Sequence, residues 1–555
     1  MEKRVILAFV LCFIVLIVWS QLFTPKTVPP LKKEEKPKEQ EEQLSSSPLN
    51  APLIEPSPMS EREVDKADAE IPSIKITETI VETPLYRAVF SNEGPAITSF
   101  KLMKYHETID PDSPPVEFVN FKKLSNDFIL FNLNTQKGTE NRKFIYDVNE
   151  NFIRLSSGSQ YRDLTFFCPD ANGVSVEQTF RFYPDKYDID VIITATNNSE
   201  YPVTGNIEAK IQGMPSNNKK RYYSFVGMAL LLDNKLQEIK PNKMEEEKTH
   251  SGKIDWIAYE NEYFISAVVP ENQETGYFKG RLLPTGIIKG SYITPAINLN
   301  PLKQISADFT LFIGPRDIDI LSKSGKNLNA AIDFGFFDII AKPLHFILRF
   351  FNRYVHNYGI SIIILTIIIK ILFWPLTQKS QKSMKEMRKI QPLMAKIREK
   401  YKDNREQMNK EMMALYRTYK VNPMGGCLPM LIQIPVFFAL YRILGNSIEL
   451  RHAPFIFWIN DLSAPDRLFN FQFHIPLMSP PYGIPVLTLL MGASMFIQQK
   501  MQPMVGDPTQ AKVMMFLPIM FTVMFINFPS GLVLYWLTQN ILTIGQQYLI
   551  QKKPD

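Results

Sequence analysis

Thr366 and Lys370 stand four residues apart in the apolar run SIIILTIIIKILFWPLT, residues 361–377. That spacing puts a hydroxyl and an ammonium on one face of a helix. A lysine near the middle of a membrane-length segment costs roughly 2.5 to 3.5 kcal/mol on insertion scales, so something must offset it. Other polar groups recur in the later apolar runs: Gln433, Thr488, Asn527, then Thr538, Gln539, Asn540 and Thr543. For each neutral group, a hydrogen bond between helices is a sufficient structural explanation. Lys370 is different, because no Asp or Glu falls inside any of these runs. An ammonium without a buried counter-ion needs water, or it gives up its proton. Lys370 is therefore expected in a hydrated recess, with snorkelling to the headgroups as the competing account.

Bond-making chemistry finds little support. Ser530, in the turn 528–531 (FPSG), is a possible nucleophile, but no histidine lies in the runs to serve it. The six histidines are scattered, and Cys12, Cys168 and Cys427 form no C-x-x-C pair or disulfide framework. There is no phosphate-binding loop, no cofactor is expected, and no metal spacing occurs.

The elements that must position Lys370 follow from composition along the chain, whose mean hydropathy of −0.10 averages two unlike halves. Residues 5–20 are uncharged and follow Lys3 and Arg4, without a small-residue cleavage site, so 1–23 reads as an uncleaved signal anchor. Residues 24–58, rich in Pro, Lys, Glu and Ser, cannot bury a core and read as a disordered tether. Residues 59–333 read as a β-sandwich: Val174, Val176, Phe180 and Phe182 alternate with polar residues, as do Tyr187, Ile189, Val191 and Ile193. No helical period stands out there, antiparallel pairing is expected, and a structural spacer role is favoured over ligand binding. Residues 334–357 mix apolar residues with Asp338, Lys342, His345, Arg349 and Arg353, which suggests an interfacial helix. Further spans are expected at 358–378, 423–446 and, as three, within 484–550, giving about six in all, several shorter than the usual ~20 residues.

Residues 379–420 carry thirteen Lys and Arg against five acids, whereas the loop 447–483 is nearly neutral. The positive-inside rule puts 379–422 in the cytosol as a basic helical hairpin, and the parity of the spans then puts the β region and 447–483 outside, with both termini and the tail 551–555 inside. Met387, Met394, Met408 and Met412 supply much of the hairpin's apolar surface, suited either to holding it together or to recruiting partners.

These features in this order resemble the YidC-type membrane protein insertases of Gram-negative bacteria, relatives of the Oxa and Alb insertases. The motifs are NYGISIIILT (357–366), WPLT (374–377), EMMALYRTYKVNPMGGCLPMLIQIPVFFALY (411–441), ELRHAPFIFWINDLSAPD (449–466) and FPSGLVLYW (528–536), with YRAVFSNEG (86–94) in the β region. The resemblance implies a polytopic α-helical fold with a five-helix core, a β-supersandwich in the periplasm, and a groove open to cytosol and lipid. It implies a non-enzymatic insertase and folding chaperone of the bacterial inner membrane, acting on nascent membrane proteins alone or beside the Sec translocon, with ribosome-delivered clients and no nucleic-acid contact beyond the ribosome. Client-contacting candidates are Thr366, Lys370, Gln433, Tyr535, Trp536, Thr538 and Asn540. The family usually carries arginine where Lys370 stands, and lysine offers a point charge in place of a five-donor fork. The competing class is a small-solute transporter or channel with Lys370 as an anion site, although no internal repeat supports it.

Overall fold

The computed structural model describes residues 76–119, 128–135, 144–171, 173–214, 225–272, 275–419, 421, 428–501 and 508–552. The expected anchor (1–23) and tether (24–58), the beginning of the β region, the turn 422–427 and the last three residues lie outside the described residues. The chain divides into two units. In the one formed by 1–68 and 504–517, the described part is the start of a helix at 508–517. The other, 69–503 with 518–555, carries the described strands and the remaining helices.

Period-two burial builds the β region. In Val174–Phe182 and Asp188–Asn197 every second residue is buried, and the two strands pair antiparallel with Val191 opposite Phe180. Nineteen strands form one hydrogen-bonded network arranged as two layers sharing Lys248–Glu260. The first half of that strand pairs with Thr275–Leu282 and alternates in burial. The second half pairs with Gly227–Leu232 and Phe264–Pro270 and is buried without interruption. Aromatic rings join the layers: Phe90 packs against Phe180 at 5.0 Å and Phe182 at 5.8 Å, and Phe131 against Phe309 at 5.3 Å. One pairing departs from the antiparallel expectation. Glu78–Glu82 and Phe152–Arg154 run parallel, which the long intervening chain permits.

Nine helices follow among the described residues: α1 (Ile318–Ser324), α2 (Asp338–Val355), α3 (Tyr358–Leu372), α4 (Trp374–Lys400), α5 (Arg405–Thr418), α6 (Leu428–Asn446), α7 (Val486–Met501), α8 (Pro508–Phe525) and α9 (Ser530–Lys552). Polar caps start three of them. Asp317 accepts from the amides of Asp319 and Ile320, Asn357 from Ile360, and Asn404 from Gln407. Between the layers and the helices, α2 packs on α3 and α6, while α9 packs on α3 and α7.

The apolar run that was expected to continue to residue 378 is broken. Helix α3 ends at Leu372, and α4 starts at Trp374 with a bend of 66°. Pro375 explains the break, since its ring suits the first turn of a new helix and not the interior of an old one. Lys370 therefore sits in the last turn of α3, just before the bend. Among the described residues no single helix is long and apolar enough to cross a membrane; the bent pair α3–α4 meets that length and composition together.

Candidate functional site

The last turn of α3 carries Lys370 into the helix interface rather than out of it. Its side chain is 4 % exposed, and Nζ donates to Thr543 Oγ1 of α9 at 2.8 Å. Thr543 in turn donates to the Gln539 carbonyl at 2.7 Å, so one hydroxyl links the ammonium to a backbone oxygen. Among the described residues no carboxylate pairs with Lys370. Thr366, one turn earlier, is fully buried, but its hydroxyl donates to its own helix at the Ile362 carbonyl, 2.6 Å away. The shared face predicted from spacing exists, yet the two side chains have different partners.

Polar groups continue along α9. Asn540 Nδ2 donates to Ser494 Oγ of α7 at 2.9 Å, and Gln546 Nε2 to Thr377 Oγ1 of α4 at 3.0 Å. Thr538 bonds back to the Leu534 carbonyl. Ser494, Gln546 and Gln547 were not singled out from sequence, although the pair Gln546-Gln547 in an otherwise apolar helix was a readable signal; all three are buried.

Several buried polar atoms here have no protein partner among the described residues: Gln433 Nε2, Thr488 Oγ1, Tyr535 Oη, Gln539 Oε1, Gln546 Oε1 and Gln547 Oε1. A buried polar group without a hydrogen bond costs on the order of 1–3 kcal/mol, so each of these atoms calls for a partner. The arrangement is chemically suited to water or to the polar groups of a guest chain. Trp536 faces the other way from this set of groups in character. Its ring sits among Phe437 (5.0 Å), Phe521 (5.9 Å) and Phe525 (5.0 Å), an aromatic wall beside the polar one.

Charged residues of α2 tie the β region to the helices. Arg349 pairs with Asp319 of α1 and lies 3.6 Å from Glu449, which follows α6. His345 Nε2 is 3.5 Å from the same carboxylate. Burial pushes the Glu449 carboxyl up, but hydrogen bonding and charge from His345, with Arg349, outweigh it and hold it below the usual carboxylate range. Arg451 donates to the carbonyls of His106 (2.6 Å) and Glu107 (3.2 Å) of the β region. Of the five polar residues that suggested an interfacial helix, His345 and Arg349 are joints to Glu449, about a hundred residues on, whereas Lys342 pairs with Asp338 one turn away. Asp466 closes the outer loop: it accepts from Trp458 Nε1 at 2.6 Å and from the Leu487 amide at the start of α7. Ser530 is fully buried and donates to the Asp461 carbonyl at 2.7 Å.

In the α4–α5 hairpin, Met387, Met394 and Met408 are buried and Met412 is half-buried. The β region has a polar recess of about 380 Å³ lined by residues including Arg181, Asp188, Asp190, Glu271 and Lys326. Its charges are internally matched: Asp190 accepts from Tyr183, Glu271 from Thr310 and Lys326, and Arg181 pairs with Asp163.

Two family models match the chain, "YidC periplasmic domain" over residues 78–347 and "60Kd inner membrane protein" over 350–555. Proteins named Membrane protein insertase YidC are similar over the full length. That of Pelobacter propionicus is 41% identical over 567 residues, covering 100% of this chain and 99% of the relative. Those of Syntrophobacter fumaroxidans (40% over 565 residues) and Syntrophus aciditrophicus (42% over 561) cover 100% of both chains.

Proposed function

The chain belongs to the YidC family of membrane protein insertases, inner-membrane proteins with a periplasmic domain, and we propose that it inserts newly made membrane proteins by way of the polar interface between α3, α7 and α9. The observation that carries this reading is the buried Lys370–Thr543 contact, in a helical region with buried polar atoms that have no partner among the described residues. A hydrated interior of this kind lowers the barrier for a client's polar segment, because that segment exchanges bulk water for groove water and protein donors instead of hydrocarbon. Short, bent helices work in the same direction, since a thinned bilayer shortens the distance to be crossed.

In this reading Lys370 attracts acidic segments of the client, Thr366, Gln433, Tyr535, Thr538 and Asn540 line the polar route, and Trp536 with its aromatic neighbours meets the client's apolar stretch. The α4–α5 hairpin lies in the cytosol and receives clients from the ribosome. With three of its four candidate methionines buried, recruitment falls to the basic surface and to Met412. The β region and 447–483 face the periplasm, both termini face the cytosol, and the Sec translocon is a working partner. Site-specific photocrosslinking from Thr366, Lys370 and Trp536 to a stalled nascent membrane protein tests the route. Adducts at these positions are expected; adducts confined to the hairpin would overturn the groove assignment.

A further inference from the structure

After the outer loop, the chain runs from Leu468 to Gln499 without a single Asp, Glu, Lys or Arg. Within this stretch Leu468–Phe471 pairs antiparallel with Tyr482–Ile484, and one residue later α7 begins. The close pairing depends on Gly483, where a Cβ would fall 2.2 Å from the Phe469 carbonyl oxygen. The hairpin turns large apolar side chains outward: Phe469 is 67 %, Phe473 62 % and Leu477 74 % exposed. Phe469 and Leu477 do so from left-handed backbone, at φ of 61° and 64°, a conformation that bulky residues rarely adopt. The exposed polar residues of the hairpin are Asn470, Gln472 and His474, so no carboxylate or ammonium interrupts the apolar surface.

The polar backbone at the base of the hairpin is, by contrast, well supplied. Arg467 donates to the carbonyls of Pro481 (2.9 Å), Asp466 (2.7 Å) and Ile526 (2.9 Å), and reaches Ser479 O at 3.4 Å. Asn527 donates to Leu477 O at 2.8 Å and accepts from the Ser479 amide at 2.7 Å. Carbonyls in open water need no such service, whereas carbonyls near hydrocarbon do. The one side chain in the stretch that could charge near neutral pH, His474, packs edge-on against Tyr482 at 5.4 Å. In α7, which begins one residue after the hairpin, Leu489, Leu490 and Ile497 are exposed as well.

We infer that the 468–484 hairpin is seated in the outer leaflet of the bilayer, with Phe469, Phe473 and Leu477 in contact with phospholipid acyl chains and Arg467 with Asn527 fastening its base to the helices. Phenylalanine and tyrosine rings at the acyl–headgroup boundary suit this position. The inference rests on the membrane reading of α7 and adds a lipid-binding element at the outer end of the proposed route, where a half-inserted hairpin displaces lipid and thins the leaflet.

The test uses the full chain with Cys12, Cys168 and Cys427 replaced by alanine, and single cysteines at Phe469, Phe473, Leu477 or, as control, Tyr201 of the β region. Each is labelled with an environment-sensitive fluorophore and reconstituted into vesicles of phosphatidylethanolamine and phosphatidylglycerol. Labels in the hairpin are expected to lose most of their emission to lipids brominated on the acyl chain and little to aqueous iodide, and the Tyr201 label the reverse. Iodide quenching of the hairpin labels equal to that at Tyr201 overturns the inference. So does protection that disappears when the protein is diluted in lipid, which would mark a contact with a second copy. A photoreactive phenylalanine in place of Phe473 supplies a label-free check, with lipid adducts expected and protein adducts alone contradicting. Client insertion is measured in the same vesicles. Loss of insertion with lipid-quenched hairpins refutes the insertase route alone, and retained insertion with iodide-quenched hairpins refutes the hairpin alone.

Discussion

The β region and the helical region bury opposite things. Inside the β layers lie Trp256, Tyr86, Phe90, Phe100, Phe166 and Phe180, all fully buried, in a dry aromatic core. Inside the helices lie Lys370, Thr366, Asn540, Gln546 and Gln547, while Ile360, Ile367, Ile371, Leu372, Ile541 and Leu549 point outward. The difference teaches that one chain folds against two solvents. Where water surrounds the fold, burying apolar area stabilises it. Where lipid surrounds it, apolar side chains gain nothing by going inside, and the interior is free to hold the polar groups that do the work.

The comparison breaks most readily at the dry core. Phe90→Ala removes the ring that joins the two layers and should destabilise the β region by about 3–5 kcal/mol, read as a lower unfolding midpoint of the full chain in detergent. An unchanged midpoint would mean that the layers are not held by that contact. Glu260 is the exception within the same core. It is fully buried, and Arg316 lies 3.1 Å away without a hydrogen bond to it. Burial raises its carboxyl from 4.5 to about 7 despite Arg316. Because the folded pKa lies above the unfolded one, its contribution to stability is complete below about pH 4.5 and is lost as pH rises through about 7, a change of about 3 kcal/mol. Glu260→Gln should flatten the pH dependence of unfolding over that window; a slope equal to that of the unaltered chain would contradict the assignment.

On the helical side, Lys370→Ala should reduce insertion of acidic-tailed clients about tenfold, near 1.4 kcal/mol, without lowering the unfolding midpoint, and Lys370→Arg should retain insertion. Full insertion by the alanine variant would remove the charge from the mechanism. Thr543→Val takes away the hydroxyl that accepts from Lys370 and should cost insertion a few-fold, about 0.5–1 kcal/mol. Reconstituted vesicles with a panel of acidic and neutral client tails separate these two variants, since only tails carrying charge should respond to Lys370.

Much of this division was legible from residues alone. Alternation at 174–182 and 187–193 marked strands, and uncharged runs with scattered Thr, Gln and Lys marked helices that bury polarity. The break at Phe373 was not read, although Pro375 was in plain view, because a proline in the first turn of a helix and one that ends a helix look the same in a string. The role of Arg349 was also missed. The five polar residues of α2 suggested an interfacial helix, and nothing local told His345 and Arg349, which meet Glu449 about a hundred residues on, from Arg353, which does not.

By itself, then, the sequence determined which stretches could tolerate lipid and which water, since that depends only on local composition and period. It also determined that Lys370 has no carboxylate partner within its own apolar segments, because there is none to find. Only the tertiary structure decided where the ammonium goes: against α9, at the hydroxyl of Thr543. That choice is set by which helices pack together, and packing joins residues 173 positions apart whose pairing leaves no local trace.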